Sequence, residues 1–524
     1  MNLKFVMKII IFIVIFINST FHIVYAQYII DFKVNDDTTM KEQNYPVLSV
    51  NQKGNFIISW QDKRDLAYGS SFCEIFCQKF NSNGQKVNNN KRLTDSIFVN
   101  YFCPIAYRND GSFSLIFIKN YFYRLILFDS SSNPISPIIT VNDSLNFGAC
   151  TGHTNIDIDS NSFIYVVMDY YKNYGNFSPS VYFQKFDALG NKIGTNQRVN
   201  DDTSSISFHT KPVITIRRDK SFIIAWREQK YGGNGDIYMQ IFNPNGQKVG
   251  SNIQVDDTLT GDIDRDYPAI SSDSVGNFTI VWIDSRLTEI YYQPWAQNFN
   301  YSGNKIGANF RVDQGLSLDK LEPRVSKRYD GNFIIAWYDN PPSGPTMPYC
   351  RRYNNINLPL GNQFTLPKQF LNSSKTIFDT KLFGDKIISA WTDFRDTNPN
   401  IYANILSFQN PDSVISYISN INENIPNNFV LYQNFPNPYN IKSKIKFEIP
   451  SIRFSIKALV NDRFIVLKVY DVLGREIRAL VNKKLKPGTY EITFDGSNLS
   501  SGVYFYIMFA DGKYISSKSM ILIK

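Results

Sequence analysis

The stretch GNFIIAWYDN, residues 331–340, runs from a Gly turn through an apolar strand to Trp337, with Asp339 just beyond. The phrase returns as GNFIISWQDKR from residue 54, SFIIAWREQK from 221, GNFTIVWIDSR from 276 and KIISAWTDFR from 386. Aligned on the position after the turn, the repeats fall at Phe56, Phe113, Phe163, Phe222, Phe278, Phe333 and Ile387, seven units spaced 50 to 59 residues apart. That period suits four-stranded propeller blades.

One unit, 267–313, reads as an entry strand after Pro268, a Gly turn, an apolar strand to Trp282, a longer loop, a strand around Gln297, an Asn/Gly turn and a last strand to Val312. Short β-rich runs between Gly and Asn turns, with no helical period, predict a four-stranded meander. Unit seven has a third strand at NIYANILSF but lacks a fourth, whereas YIIDFKVNDD near the start matches the fourth-strand phrases NQRVNDD and NIQVDDT. The N-terminal strand is therefore expected to complete the last blade, closing a ring and removing a free edge. Units two and three carry Phe117 and Val167 in place of Trp, a substitution an apolar layer tolerates. The predicted fold class is all-β, a seven-bladed β-propeller followed by a small β-sandwich.

Asp62, Asp284, Asp339 and Asp393 follow the Trp by two residues, and Arg64, Arg286 and Arg395 follow three of these Asp by two more. Alternation puts each Asp and Arg on one side of an extended chain, placed to pair or to hold the loop. Catalysis needs one asymmetric constellation, so a repeated Asp predicts architecture, and no catalytic residue is assigned. Function is expected on the loops after the Trp strands and between units, which emerge on one face, opposite clipped turns such as SVGN. These loops carry Tyr68, Tyr170, Tyr171, Tyr174, Tyr231, Tyr291 and Tyr292 among Asn, Gly and Asp, a mixture that suits sugar rings or peptides. The candidate binding residues are Arg64, Tyr171, Tyr231, Asp284 and Arg286, for a glycan or protein ligand. A propeller glycoside hydrolase of sialidase type is the alternative: SSDSVGNFTIVW is similar in part to the sialidase Asp-box, though its spacing departs from it. No GxSxG, HExxH or P-loop phrase occurs, and with three His, one of them at position 22, no metal or cofactor is expected.

The first residues, MNLKFVMKIIIFIVIFINSTFHIVYAQ, join a short basic start to an apolar run with Val24 and Ala26 placed for signal peptidase, so cleavage is expected between Ala26 and Gln27. No later apolar run approaches a membrane span. The net charge of +9 is concentrated at the end: from residue 431 Lys and Arg outnumber Asp and Glu by 15 to 7, against 38 to 39 over residues 27–430. The repeat region is neutral and offers nucleic acid no electrostatic footing. Of the five Cys, Cys77 and Cys350 share a repeat position with Met239 and Ala296, which predicts buried thiols, while a Cys103 to Cys150 bridge stays open.

After the polar stretch NPDSVISYISNINENIPNN the phrasing changes, and turns at KPGTY and LSSGVY separate alternating strands such as TYEITF and VYFYIM. A small β-sandwich is predicted. FPNPYN (435–440), KVYDVLGREI (468–477), GTYEITFDGSNLSSGVYFY (488–506) and KSMILIK (518–524) resemble, in order, the type A C-terminal sorting domain of the type IX secretion system, an Ig-like fold. Its motif falls on Phe435, Pro436, Asn437, Pro438, Tyr470, Asp471, Gly474, Gly488, Tyr490, Gly502 and Tyr504. The resemblance implies a Bacteroidetes-type bacterium, export by that machinery as partner, and delivery to the medium or outer cell surface, often with removal of the domain. The segment SIRFSIKALVNDRF (451–464) is longer than the family's usual link. The expected organisation is a signal peptide over 1–26, a monomeric propeller over 27–410, a linker over 411–429 and the sorting domain over 430–524.

Overall fold

A computed structural model of the chain describes residues 29–524 apart from 40, 67–71, 96, 99–102, 144–149, 172–177, 205, 258–262, 288–290, 316–318, 342, 397, 412–417, 423–428 and 451–462. The expected cleavage site at Ala26 and Gln27, the loop residues Tyr68 and Tyr174, and most of the long 451–464 link lie outside the described residues. Two compact units emerge, one spanning Tyr28–Tyr417 and one carrying Ile418–Lys524.

Among the described residues the first unit forms seven four-stranded antiparallel sheets. The first contains Gln43–Val50, Phe56–Asp62, Phe72–Phe80 and Lys86–Arg92, and a two-residue strand, Ile97–Phe98, also pairs with Phe72 and Cys73. The next five follow in chain order, and the seventh joins Lys375–Phe383, Lys386–Asp393 and Asn400–Ser407 to the N-terminal strand Ile29–Lys33. In that last pairing Phe32 lies opposite Ala403.

The repeated aromatic earns its place by stacking on an aromatic directly across the hairpin. Phe56 lies on Phe80 at 4.6 Å, Phe113 on Phe128 at 4.7 Å, Phe222 on Phe242 at 4.7 Å, Phe278 on Phe299 at 4.8 Å and Phe333 on Tyr353 at 4.9 Å. Second strands such as Phe56–Asp62 and Phe278–Asp284 are buried along their whole length, because each sheet is covered on both faces by its neighbours. Outer strands such as Lys86–Arg92 are mostly exposed and correspondingly polar. Seven apolar layers separate successive sheets. One of them joins Ile58 and Trp60 of the first sheet to Ile388 and Ile405 of the seventh. Phe117 and Val167 sit fully inside their layers, so loss of Trp there leaves no gap at the surface. The short connection of unit two is a two-residue turn with Asn120 and Tyr121 both at positive φ, 53° and 65°, the geometry that matches hairpin twist. Gly54, at φ 78°, disfavours any side chain: the backbone would be strained, and a Cβ there would stand 2.6 Å from the Phe383 ring of the seventh sheet and force it to shift.

The innermost strands contact one another in a closed cycle, the seventh meeting the first. Small polar side chains on one inner strand accept backbone N–H groups of the next: Ser49 from Tyr107 at 3.1 Å, Asp157 from Ile216 at 2.9 Å, Ser271 from Lys327 at 2.9 Å and Ser326 from Leu382 at 2.9 Å. The NDD phrases latch the outer strands. The Asp201 backbone N–H donates to Asn252, whose own N–H returns 2.9 Å to Asp201 Oδ2, and Lys248 pairs with the same Asp at 2.6 Å. The N-terminal phrase repeats part of this: Asp36 N–H donates to Asn90 at 2.6 Å.

The second unit contains two four-stranded antiparallel sheets around one core that includes Ile445, Leu467, Tyr506 and Met520. Part of the stretch read as linker belongs to it: Ile418–Asn422 is a strand that pairs with Gly488–Asp495, so the module starts earlier than residue 430. The alternating Ile418, Asn420 and Asn422 gave too little apolar pattern to reveal an edge strand. The FPNPYN segment is tied to the end of the chain. Asn437 Oδ1 accepts the Ile521 N–H at 2.8 Å, and Tyr439 exchanges backbone bonds with Ile521 and Ile523. Tyr490 and Tyr504 each donate to a carbonyl four residues back, Lys486 at 2.7 Å and Ser500 at 2.8 Å. Asp471 Oδ1 caps the turn at Gly474 by accepting the Leu473 and Arg475 N–H groups.

All five Cys are free thiols. Cys103 packs in the layer between the first and second sheets and Cys150 against the next layer, so the bridge left open from the sequence does not form.

Candidate functional site

The repeated Asp is consumed inside the sheets. The indole N–H donates to the Asp two residues on, Trp60 to Asp62 at 2.9 Å, Trp282 to Asp284 at 3.2 Å, Trp337 to Asp339 at 3.0 Å and Trp391 to Asp393 at 2.9 Å. Where Arg follows, its backbone N–H caps the other oxygen at 2.8–2.9 Å and its guanidinium returns to the same carboxylate. The guanidinium then lies flat over the aromatic across the hairpin: Arg64 on Phe76 at 4.1 Å, Arg286 on Trp295 at 4.0 Å and Arg395 on Tyr402 at 3.9 Å. Burial opposes ionisation of Asp393, but Arg395 and Trp391 outweigh it and hold the carboxyl below its ordinary value. Asp339 has Pro341 where Arg would stand; burial pushes its carboxyl up against the pull of Lys320.

Of the five candidate binding residues, three belong to this frame. Asp284 is fully buried, the Arg286 side chain is 7% exposed and that of Arg64 is 16% exposed, with their polar groups engaged by Asp284, Asp257, Asp62 and Asp36. Tyr171 is half-buried, and burial followed by Asp169 raises its hydroxyl. Tyr231 is the open one, 79% exposed at the start of the turn after strand Phe222–Lys230 and stacked on Phe208 at 6.4 Å.

A different set lines the centre. The innermost strands of the seven sheets enclose a cavity of about 890 Å³. At the start of the inner strands the register breaks by a bulge, and the bulged residue has a left-handed backbone: Tyr45 (φ 57°), Lys211 (φ 55°), Tyr267 (φ 51°) and Glu322 (φ 47°), each followed by Pro. A bulky residue at positive φ before Pro carries strain of roughly 1–3 kcal/mol, and bulges of this kind re-aim side chains. All four line the cavity. They form a mixed aromatic and charged rim. Lys211 Nζ lies 3.5 Å above the Tyr267 ring and 2.5 Å from Asp266, while Glu322 pairs with Arg324 at 3.3 Å. Burial, then the negative charge of Glu322, lifts the Tyr45 hydroxyl; burial, then Asp266 and Glu322, lifts that of Tyr267. The bulges lie at the end of the sheets where the Trp strands finish, for Gln43 pairs with Asp62 and Arg265 with Asp284. The recurrent YP, KP, YP and EP at one repeat position was the available signal. Sequence alone reads each Pro as a strand start, which hides the bulge before it.

Residues 433–523 match the family model described as the secretion system C-terminal sorting domain. Among curated proteins no relative matches. Solved structures similar to the chain include a protein of unknown function from Dyadobacter fermentans, with 9% identity, 62% of this chain and 98% of that one covered and a TM-score of 0.41. An ulvan lyase of a new polysaccharide lyase family shares 12% identity over 73% and 96% at 0.46. A Penicillium chrysogenum alpha-L-arabinanase shares 10% over 72% and 99% at 0.39. None reaches a TM-score of 0.5, and the fold of this chain stands on its own sheets. Among the described residues no helix is long and apolar enough to cross a membrane. The second unit of this chain carries, at residues 433–523, a secretion system C-terminal sorting domain, which directs export through type IX secretion to the cell surface or extracellular space.

Proposed function

We propose that the chain is an exported seven-bladed propeller that binds a glycan at the mouth of its central cavity and does not turn it over. The sandwich that follows it in sequence, read as Ig-like, serves delivery alone, and the cargo acts as a monomer after removal of a signal peptide at Ala26. The single observation that carries the binding reading is the ring of strained, cavity-lining residues, Tyr45, Lys211, Tyr267 and Glu322. Strain held at several equivalent positions favours a use for the side chains it aims. Aromatic faces beside charged hydrogen-bonding groups in a concavity of this size suit sugar rings and their hydroxyls. Tyr171 and Tyr231 follow directly on the second strands of their sheets, which end at Tyr170 and Lys230.

Binding is preferred to hydrolysis because the carboxylates at the rim are engaged. Asp266 holds Lys211 at 2.5 Å and Glu322 holds Arg324 at 3.3 Å. A glycosidase instead needs two carboxyl groups free to flank one bond, about 5–10 Å apart. A glycan array probed with the purified chain, beside a panel of glycosidase substrates, tests this reading. Retention of a glycan that falls at least tenfold in Tyr267→Ala supports it, whereas turnover abolished by Glu322→Gln replaces it with the hydrolase.

A further inference from the structure

The fourth sheet departs from the Trp–Asp frame of the first, fifth, sixth and seventh sheets. After Trp226 the acid is Glu228, one methylene longer than Asp, and the Trp226 indole N–H is buried with no hydrogen-bond partner. Glu228 turns instead toward His209, its direct cross-strand neighbour, with Oε2 3.3 Å from Nε2. Asp202, in the connection from the third sheet, brings Oδ2 to 3.9 Å from the same nitrogen. The one ligand atom each residue offers lies within 4.8 Å of the others.

The His209 side chain is 1% exposed, and its Nε2 has no hydrogen-bond partner although it points between two carboxylates. Its Nδ1 lies 3.4 Å from the Pro179 carbonyl, the partner an Nδ1–H tautomer uses, which leaves a lone pair on Nε2. Asp202 Oδ1 accepts the Ser204 N–H at 2.8 Å, and Oδ2 is the oxygen that approaches His209. Two ligands of one tetrahedral zinc ion, each about 2.1 Å from it, stand about 3.4 Å apart. The observed 3.3 and 3.9 Å separations are therefore close to those of a bound site.

We propose that Asp202, His209 and Glu228 bind a divalent cation, with zinc preferred. One imidazole and two carboxylates suit a borderline ion, while calcium asks for six to eight oxygens. Water or a ligand group completes the shell. Such an ion ties the connection after the third sheet to the strand that leads into the Tyr231 loop, and it sits two residues from the bulge at Lys211. The competing arrangement is a protonated His209 paired with Glu228, as Lys375 pairs with Asp393 at 3.7 Å in the seventh sheet. That arrangement retains no metal.

The test uses the full mature chain, stripped with chelator, incubated with zinc chloride, desalted and measured for metal content, with a thermal scan alongside. The expected result is about one zinc per chain and a midpoint that rises with zinc but not with equal calcium. Asp202→Asn and Glu228→Gln lower zinc affinity at least tenfold, and His153→Gln keeps it. Asp202, with a side chain 34% exposed, is the decisive variant should changes at buried His209 impair folding. Wild-type chain that retains under a tenth of an equivalent, or an Asp202→Asn chain that binds zinc like wild type, overturns the proposal. Neither outcome depends on whether a glycan is bound.

Discussion

The backbone N–H of Leu48 donates a 2.9 Å hydrogen bond to Asp379 Oδ2 across 331 positions of chain. It is the equivalent, at the join between the last sheet and the first, of the bonds that Ser271 and Ser326 make between sheets adjacent in sequence. Asp379→Ala leaves the Leu48 N–H without its partner and is expected to cost about 1–3 kcal/mol in denaturant unfolding. Ser326→Ala should fall in the same range. Removal of residues 29–34, which strips the outer strand of the last sheet, should cost more than either; unfolding curves that are unchanged by that deletion would contradict closure.

Asp393→Asn removes the nearer of two carboxylate partners of Arg395, whose side chain is 6% exposed and which also faces Asp31 at 3.6 Å, and weakens the hold on the buried Lys375. Breaking a buried, hydrogen-bonded pair from one side costs roughly 3–5 kcal/mol. The folded fraction should keep its ligand affinity, since this carboxylate faces the sheet interior. A variant with normal stability and lost binding would mean that the repeated Asp belongs to the site after all.

Much of this architecture was legible because it repeats. The seven aligned positions, six Phe and Ile387, begin the seven second strands to within a residue, and the match of YIIDFKVNDD to the fourth-strand phrases anticipates the pairing of Ile29–Lys33 with Asn400–Ser407. The structural reading of the Asp was legible for the same reason. Burial was not, since sequence does not show that Arg64 and Arg286 bond directly to Asp62 and Asp284 and stack on Phe76 and Trp295. The Asp202, His209 and Glu228 cluster was invisible because 7- and 19-residue spacings form no motif, and only strand pairing brings His209 opposite Glu228. The edge strand at Ile418–Asn422 was hidden by its polar alternation.

Asp157 gives the stability a pH dependence. Burial beside the cavity pushes its carboxyl up to about 6, against the hydrogen bonds it accepts from Ile216 and Ile158. The folded chain thus keeps a proton that the unfolded chain releases near its ordinary value of 3.8, so stability declines as pH rises through the window from about 4 to 6. Asp256, lifted to about 6 by burial, acts in the same direction. Asp157→Asn should flatten the slope of unfolding free energy against pH across that window without abolishing it. A slope identical to wild type would remove Asp157 from the account.

The two units have separate cores, so a chain ending at residue 411 should fold with the cooperative transition of the first unit while losing its address. Fractionation of cells expressing it is expected to find the folded product in the periplasm. Recovery from the medium or the outer surface would show that delivery does not depend on residues 433–523.

The most direct test of the central claim is glycan binding by wild type and by Tyr45→Ala, Tyr267→Ala and Asp62→Asn chains, with the bound glycan recovered and its length measured. The account predicts glycan retained intact by wild type, affinity reduced at least tenfold by either tyrosine change, and affinity unaltered for the folded fraction of Asp62→Asn. Recovery of shortened glycan from wild type, or tyrosine variants that bind as wild type does, would contradict it.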